Sequence, residues 1–205
     1  MQLKTFSLSF LGVLILTNTG FSADTFEIDP THSAVTFSVR HLVSRVPGQF
    51  REFSGTIVYD TTDVTKSSVS TKILANSIDT NVERRDNHLR SADFFDVQQY
   101  PDITFESKSV KKDPTAKGGN RLVVTGILIL HGVAKEVILP VEVLGVGSDP
   151  WGGTRIGFEA SITLNKKEFN ISWNKILDQG GFLLGDEVKV NLAIEAVKKK
   201  EEGKK

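Results

Sequence analysis

The sequence predicts an all-β protein, an antiparallel meander of about eight strands with a short helical insertion near residues 81–95. Three observations carry that prediction. Apolar residues alternate with period two over strand-length runs. Turn-forming residues separate those runs. The alternation breaks at residues 77–95, SIDTNVERRDNHLRSADFF, where dense charge is followed by two adjacent phenylalanines.

The opening residues read as a targeting segment. Lys4 supplies a positive start, residues 6–16 are almost entirely apolar or small, and Gly20 and Ser22 suit cleavage after Ser22, so residues 1–22 are expected to be a signal peptide. The apolar run falls short of the roughly 20 residues a bilayer span needs. The first strand signal follows, with Val35, Phe37 and Val39 alternating with Thr36, Ser38 and Arg40. Phe53, Ile57 and Tyr59 mark a second, and Val69, Thr71 and Ile73 a third. Then comes the charged break, where helical spacing puts Arg85 beside Leu89 and Asp86 beside Arg90, an apolar seam and an ion pair on one short helix. Further strands are expected over residues 103–110, 122–131, 137–146, 155–164 and 188–197. Asp113-Pro114 with Gly118-Gly119, His131-Gly132, and Asp149-Pro150 with Gly152-Gly153 supply turns between them. Gly126, Gly145, Gly147 and Gly157 fall inside or at the ends of strand-like runs and mark bends or bulges.

Several strands are apolar on both parities, as with Leu122, Val124, Leu128 and Leu130 against Val123, Ile127 and Ile129. Two dry faces call for two apolar surroundings: a helical cover outside and a filled or ligand-holding interior. The pattern alone fits a closed barrel and a β-sandwich equally well.

Composition narrows the function. There is no cysteine, hence neither a disulfide nor a lipid-attachment thiol. Without its leader the chain carries 24 basic against 25 acidic residues, net −1. Five of those lysines and two glutamates sit in residues 198–205, which read as a solvated tail, leaving a body of −4. That balance argues against nucleic acid as a partner. A body of residues 23–197 suits one domain.

Four histidines, His32, His41, His88 and His131, offer the obvious base or ligand chemistry, but no HExxH, H-x-H or Cys/His array is present, and hydrogen-bonded structural or head-group roles are favoured over a metal site. No GxSxG or SxxK appears, and the glycine pairs lack any phosphate-cradling pattern, so no cofactor is implied.

The segments SIDT, RDNHL and SADFFDVQQYPDITFES, together with FEIDPTHSAVTFSVRH, GQFREFSG, VTGILILHGVAKEV and GDEVKVNL, occur in an order that resembles the YceI-like, polyisoprenoid-binding family of periplasmic proteins. The resemblance covers nearly the whole chain beyond the leader. It implies a closed antiparallel lipocalin-like β-barrel, rather than a sandwich, holding a long isoprenoid lipid in the periplasm. Phe26 stands where relatives usually carry tryptophan, keeping an aromatic plug, and residues 165–170, NKKEFN, replace a common arginine, acid, aromatic and glycine pattern. Lysine cannot reproduce a bidentate guanidinium contact, whereas Asn170 can accept a left-handed backbone as glycine does.

A lipid carrier needs an apolar interior and a few polar groups near one opening. Phe37, Phe53, Phe94, Phe95, Phe105, Leu128, Phe158, Ile162 and Trp173 are the candidates to line such a tunnel, and Arg84, Arg85 and His88 to meet a quinone ring or a diphosphate. The competing reading is that the aromatics fill a core and Arg85 pairs with Asp86 or Asp96. The expected ligand is a polyisoprenoid or isoprenoid quinone, bound without catalysis, with transient membrane or membrane-protein contact and a homodimer left open. Two alternatives stand beside it: an enzyme using a His/Asp site on such a lipid, and a stress-response structural module.

Overall fold

The computed structural model of the chain describes residues 23–116, 118–178 and 182–200. The expected leader and residues 201–205 of the tail lie outside them. Eleven strands form a single antiparallel sheet: β1 (Asp24–Ile28), β2 (Ala34–His41), β3 (Ser44–Phe50), β4 (Phe53–Tyr59), β5 (Ser68–Leu74), β6 (Ile78–Asp79), β7 (Asp102–Lys112), β8 (Arg121–Leu130), β9 (Val133–Ser148), β10 (Thr154–Asn165) and β11 (Leu184–Lys198). Among the described residues one α-helix, α1 (Glu83–Arg90), lies between β6 and β7.

These strands make eight staves of a closed up-and-down barrel. β1 and β2 both pair with β11, end to end along one edge, so together they are one stave with a joint at residues 29–33. β4 pairs with β1 while β3 pairs with β2, a second stave jointed at Arg51 and Glu52. β5 and β6 continue alongside as a third, jointed at a 3-10 turn, Ala75–Ser77. β7 to β11 are unbroken and pair in sequence order, and the β1–β11 pairing closes the ring. A closed ring leaves no edge along most of the wall, and its curvature comes from register shifts at Gly157/Phe158 and Ser107/Ser109. The second and third joints are bonded across, Leu74 N–H donating to Glu52 O (2.9 Å) and Arg51 N–H to Ser77 O (3.1 Å), while the first is tied to β11 by Asp29 N–H donating to Glu195 O (2.9 Å).

Alternation assigns the faces. Leu122, Val124, Leu128 and Leu130 point inward from β8 and Phe158, Ala160, Ile162 and Leu164 inward from β10. One end is packed solid. Phe26, Ile156 and Ala196 are fully buried there, Tyr59 meets Phe158 edge to face at 5.9 Å, and a 3-10 turn, Val64–Lys66, adds Val64. Asp60 fixes that turn by accepting from Thr62 N (2.8 Å), Thr62 Oγ1 (2.6 Å) and Asp63 N (2.8 Å), which holds its carboxyl below the usual range. Phe26 is the expected aromatic plug.

Two expectations change. Among the described residues no helix covers the outer apolar parity: Ile129 and Ile138 are exposed, and α1 packs at the barrel's end against β6. The second dry face is therefore a set of strand residues that favour extended backbone through β-branching, not a buried layer. The tail also begins later than residue 198, because Lys198 pairs with Phe26 and Lys199 N–H donates to Thr25 O (2.8 Å).

Candidate functional site

Between the solid end and α1 the barrel encloses a cavity of about 620 Å³, inside the ~300–1,000 Å³ range of small-molecule sites. Its wall is overwhelmingly aliphatic and aromatic. Eleven of the twelve sequence-predicted residues lie in that wall: Phe37, Phe53, Arg85, His88, Phe94, Phe95, Phe105, Leu128, Phe158, Ile162 and Trp173. Arg84 does not. It is exposed on α1, one step around the helix from the face that Arg85, His88 and Leu89 share.

The wall's shape depends on two glycines that give rings room. Phe37 lies opposite Gly48 in the β2–β3 ladder, and a Cβ at 48 would sit 2.3 Å from the Phe37 Cζ. A Cβ at Gly126 would sit 2.5 Å from the Phe105 Cζ and 2.4 Å from Glu106 O. Gly126 is thus a close-approach residue and not merely a corner. Phe37, Phe50 and Phe95 then form a chain of rings at 5.7 Å spacing across the upper cavity.

The helix end is held by a buried polar relay. Asp86, 5 % exposed, accepts from Thr80 N (2.9 Å) and Thr80 Oγ1 (2.5 Å). Thr80 Oγ1 accepts from Arg85 Nε (2.7 Å), and Thr80 O from Arg85 Nη2 (2.9 Å). Neither the Asp86–Arg90 pair nor an Arg85 pair with Asp86 or Asp96 forms. Arg90 instead donates to Asn76 O (2.9 Å) and Ile78 O (2.7 Å), carbonyls beside the joint in the third stave. Backbone groups left without a ladder partner near that joint compete successfully for these side chains. His88 contacts Asp93 Oδ2 through Nε2 at 2.8 Å, with its ring edge-on to Phe94 (5.0 Å) and Trp173 (4.9 Å).

The sequence reading missed Lys166, 6 % exposed and part of the cavity wall. Its Nζ donates to Ile171 O (3.1 Å) and Trp173 O (3.0 Å), and burial lowers its pKa. An ammonium has three donors, so one remains beyond these two carbonyls. Parity is the signal that would have found it: Phe158, Ala160, Ile162 and Leu164 face inward, and position 166 is next in that series. The turn Lys166–Phe169 ends on Asn170 at φ 61°, the left-handed position anticipated for it.

The histidines do not converge. His131 Nδ1 lies 3.0 Å from Phe169 O and stacks edge-on with Tyr100, and His41 lines the cavity at the end of β2. Among the described residues, Asp29, His32 and Glu195 form one group with ligand-like proximity. Arg155 stands within it, bonded to Asp29 (2.9 Å), Glu195 (2.5 Å) and Asp149 (3.0 Å), and supplies the positive charge that those carboxylates need. Hydrogen bonds from Thr31, His32 and Arg155 hold the Asp29 carboxyl well below its ordinary range. This cluster locks the joint of the first stave.

The family described as the YceI-like domain matches residues 26–196. Protein YceI of Salmonella agona (strain SL483) is 38% identical over 203 residues, covering 98% of this chain and 100% of the relative. Burkholderia cenocepacia BcnA superposes with a TM-score of 0.71 at 24% identity, over 82% of this chain and 98% of its own. A polyisoprenoid binding domain from Saccharophagus degradans gives 0.64 at 16% identity, over 86% and 99%. The last two likenesses concern the fold.

Proposed function

Because the chain belongs to the YceI-like domain family, and closes its sheet around an apolar chamber, we propose that it binds, stores or carries a polyisoprenoid or isoprenoid quinone in the periplasm without transforming it. The chamber is the observation that carries this reading. It is lined by aliphatic and aromatic side chains from the solid end upward, with Thr80, Arg85, His88 and Lys166 gathered near α1. A long tail can lie along the staves while a polar head meets those groups. The structural likeness to a domain described as polyisoprenoid binding supports the ligand class.

Each isoprene unit taken from water contributes on the order of 4 kcal/mol gross from its five carbons, reduced by the ordering of a flexible chain. Affinity therefore rises with tail length up to the depth of the chamber. Organic extraction of the protein purified from its own cells, followed by mass spectrometry, identifies the cargo. A prenyl chain is the expected result, and Phe158→Asp, which puts a carboxylate into the lower wall, is expected to remove it. Purified protein with no extractable prenyl compound, and no affinity for added prenyl alcohols or quinones, overturns the proposal.

A further inference from the structure

We propose that the hairpin joining β2 to β3, with the neighbouring rim at Ile176 and Phe182, docks the barrel's mouth onto an anionic phospholipid bilayer, so that cargo is exchanged directly with the membrane; this rests on the lipid-binding reading above. The hairpin turn is Leu42-Val43, closed by the His41–Ser44 pair. Val43 is 99% exposed and Leu42 43%. Leu42 takes φ 49°, a backbone region that two-residue hairpin turns normally fill with glycine, asparagine or aspartate. Leucine there is disfavoured twice, by its backbone and by its exposure to water, so local folding does not account for its presence.

The apolar tip is not isolated. Leu42 N–H donates to Leu183 O (3.1 Å), and Ile176 bridges Phe182 next to it, with 72% and 57% exposure. The rim is continuous with the cavity, whose wall includes His41, Leu183 and Leu184. The hairpin's charge is one-sided: residues 40–45, RHLVSR, contain no acid, and Arg40 and Arg45 make no ion pair among the described residues. At the neighbouring rim Lys175 is exposed beside Ile176, Lys167 lies 5.5 Å from the Phe182 ring centre, and Asp178 is the exposed acid among them. Apolar tips among unpaired cations match a surface of acyl chains under anionic head groups. Lys198, at the far end of β11, stands at the opposite end of the barrel.

The test uses the mature protein and vesicles of phosphatidylcholine with or without phosphatidylglycerol. Flotation with the anionic vesicles is expected for the wild type. It should be lost in Leu42→Asn/Val43→Ser, a variant whose asparagine suits φ 49° and which therefore folds. Arg40→Gln and Arg45→Gln should each weaken flotation roughly fivefold. Uptake of a prenyl quinone from vesicles should slow in parallel, while equilibrium binding of a short, water-soluble prenyl alcohol stays at the wild-type level. Flotation unchanged in the double variant, or absent in the wild type, overturns the docking surface. So does a wild-type dimer that the double variant converts to monomer with no effect on vesicles, because the tip would then be an interface between copies. Failure of the wild type to bind the soluble prenyl alcohol counts against the lipid-binding reading instead, and flotation still judges the rim.

Discussion

Replacing Asp86 tests how the helical end of the barrel is held. Its carboxylate accepts from the N–H and the hydroxyl of Thr80, itself only 6 % exposed, and Thr80 in turn accepts twice from Arg85. Asp86→Ala removes two hydrogen bonds to a charged acceptor, worth about 1.5–3 kcal/mol each, and leaves a buried N–H without its partner. The hydroxyl can turn to another acceptor, so a loss of about 3–5 kcal/mol is expected. Asp86→Asn keeps one oxygen acceptor and should lose about 1–2 kcal/mol. Domains of this size are stable by only about 5–15 kcal/mol, so the alanine variant should open locally around α1 before the sheet melts. Trp173 reports on that region because it touches His88 and Phe94. The protein has two tryptophans, so the assay is urea unfolding in a Trp151→Phe background, followed in parallel by tryptophan emission and far-ultraviolet circular dichroism. The emission transition of Asp86→Ala should precede the dichroism transition, and the two should coincide in the wild type. A loss below about 1 kcal/mol, or equal losses for alanine and asparagine, would refute the relay.

Gly126→Ala places a methyl 2.5 Å from the Phe105 ring, so it should lower stability by about 1–3 kcal/mol in a thermal melt and, by pushing the ring inward, weaken long prenyl tails more than short ones. Asp29, whose folded pKa lies below the ordinary value, stabilises the protein fully above the unfolded value of about 3.9 and loses that contribution as the pH falls through the folded value. The advantage of wild type over Asp29→Asn in urea midpoint should therefore be level above about pH 5 and shrink below about pH 4. For Lys166 the sign is opposite: burial lowers the folded pKa, the unfolded chain keeps its proton up to about 10.4, and stability rises with pH between the two values. Wild type should gain on Lys166→Met over that alkaline window and run parallel to it at lower pH.

The unbroken staves β7 to β11 were the easiest to read, because ten to sixteen residues of alternation leave no competing period. β3 was hidden by Pro47 and Gly48, which argue against a strand. Pro47 is tolerated because β3 there pairs with β2 alone, its pairs with β6 being confined to Gln49 and Phe50. β6 is two residues long and makes no pattern at all. The cavity wall was legible since inward parity and aromatic size are both sequence properties. The polar groups at α1 were harder: helix spacing pairs Asp86 with Arg90, but the real partners are the Thr80 N–H and the carbonyls of Asn76 and Ile78. Rules for side-chain charges do not see orphaned backbone.

Under the proposed carrier role, the size of the greasy chamber also governs how cargo can change hands. Scaling from cavities opened in protein cores, about 24 cal/mol per Å³, voiding 620 Å³ would forfeit on the order of 15 kcal/mol, comparable to the entire margin by which a domain this size stays folded. In that proposed role the chamber is expected to stay filled, one apolar cargo leaving in exchange for another, and the melting temperature should rise with the affinity and concentration of whatever fills it.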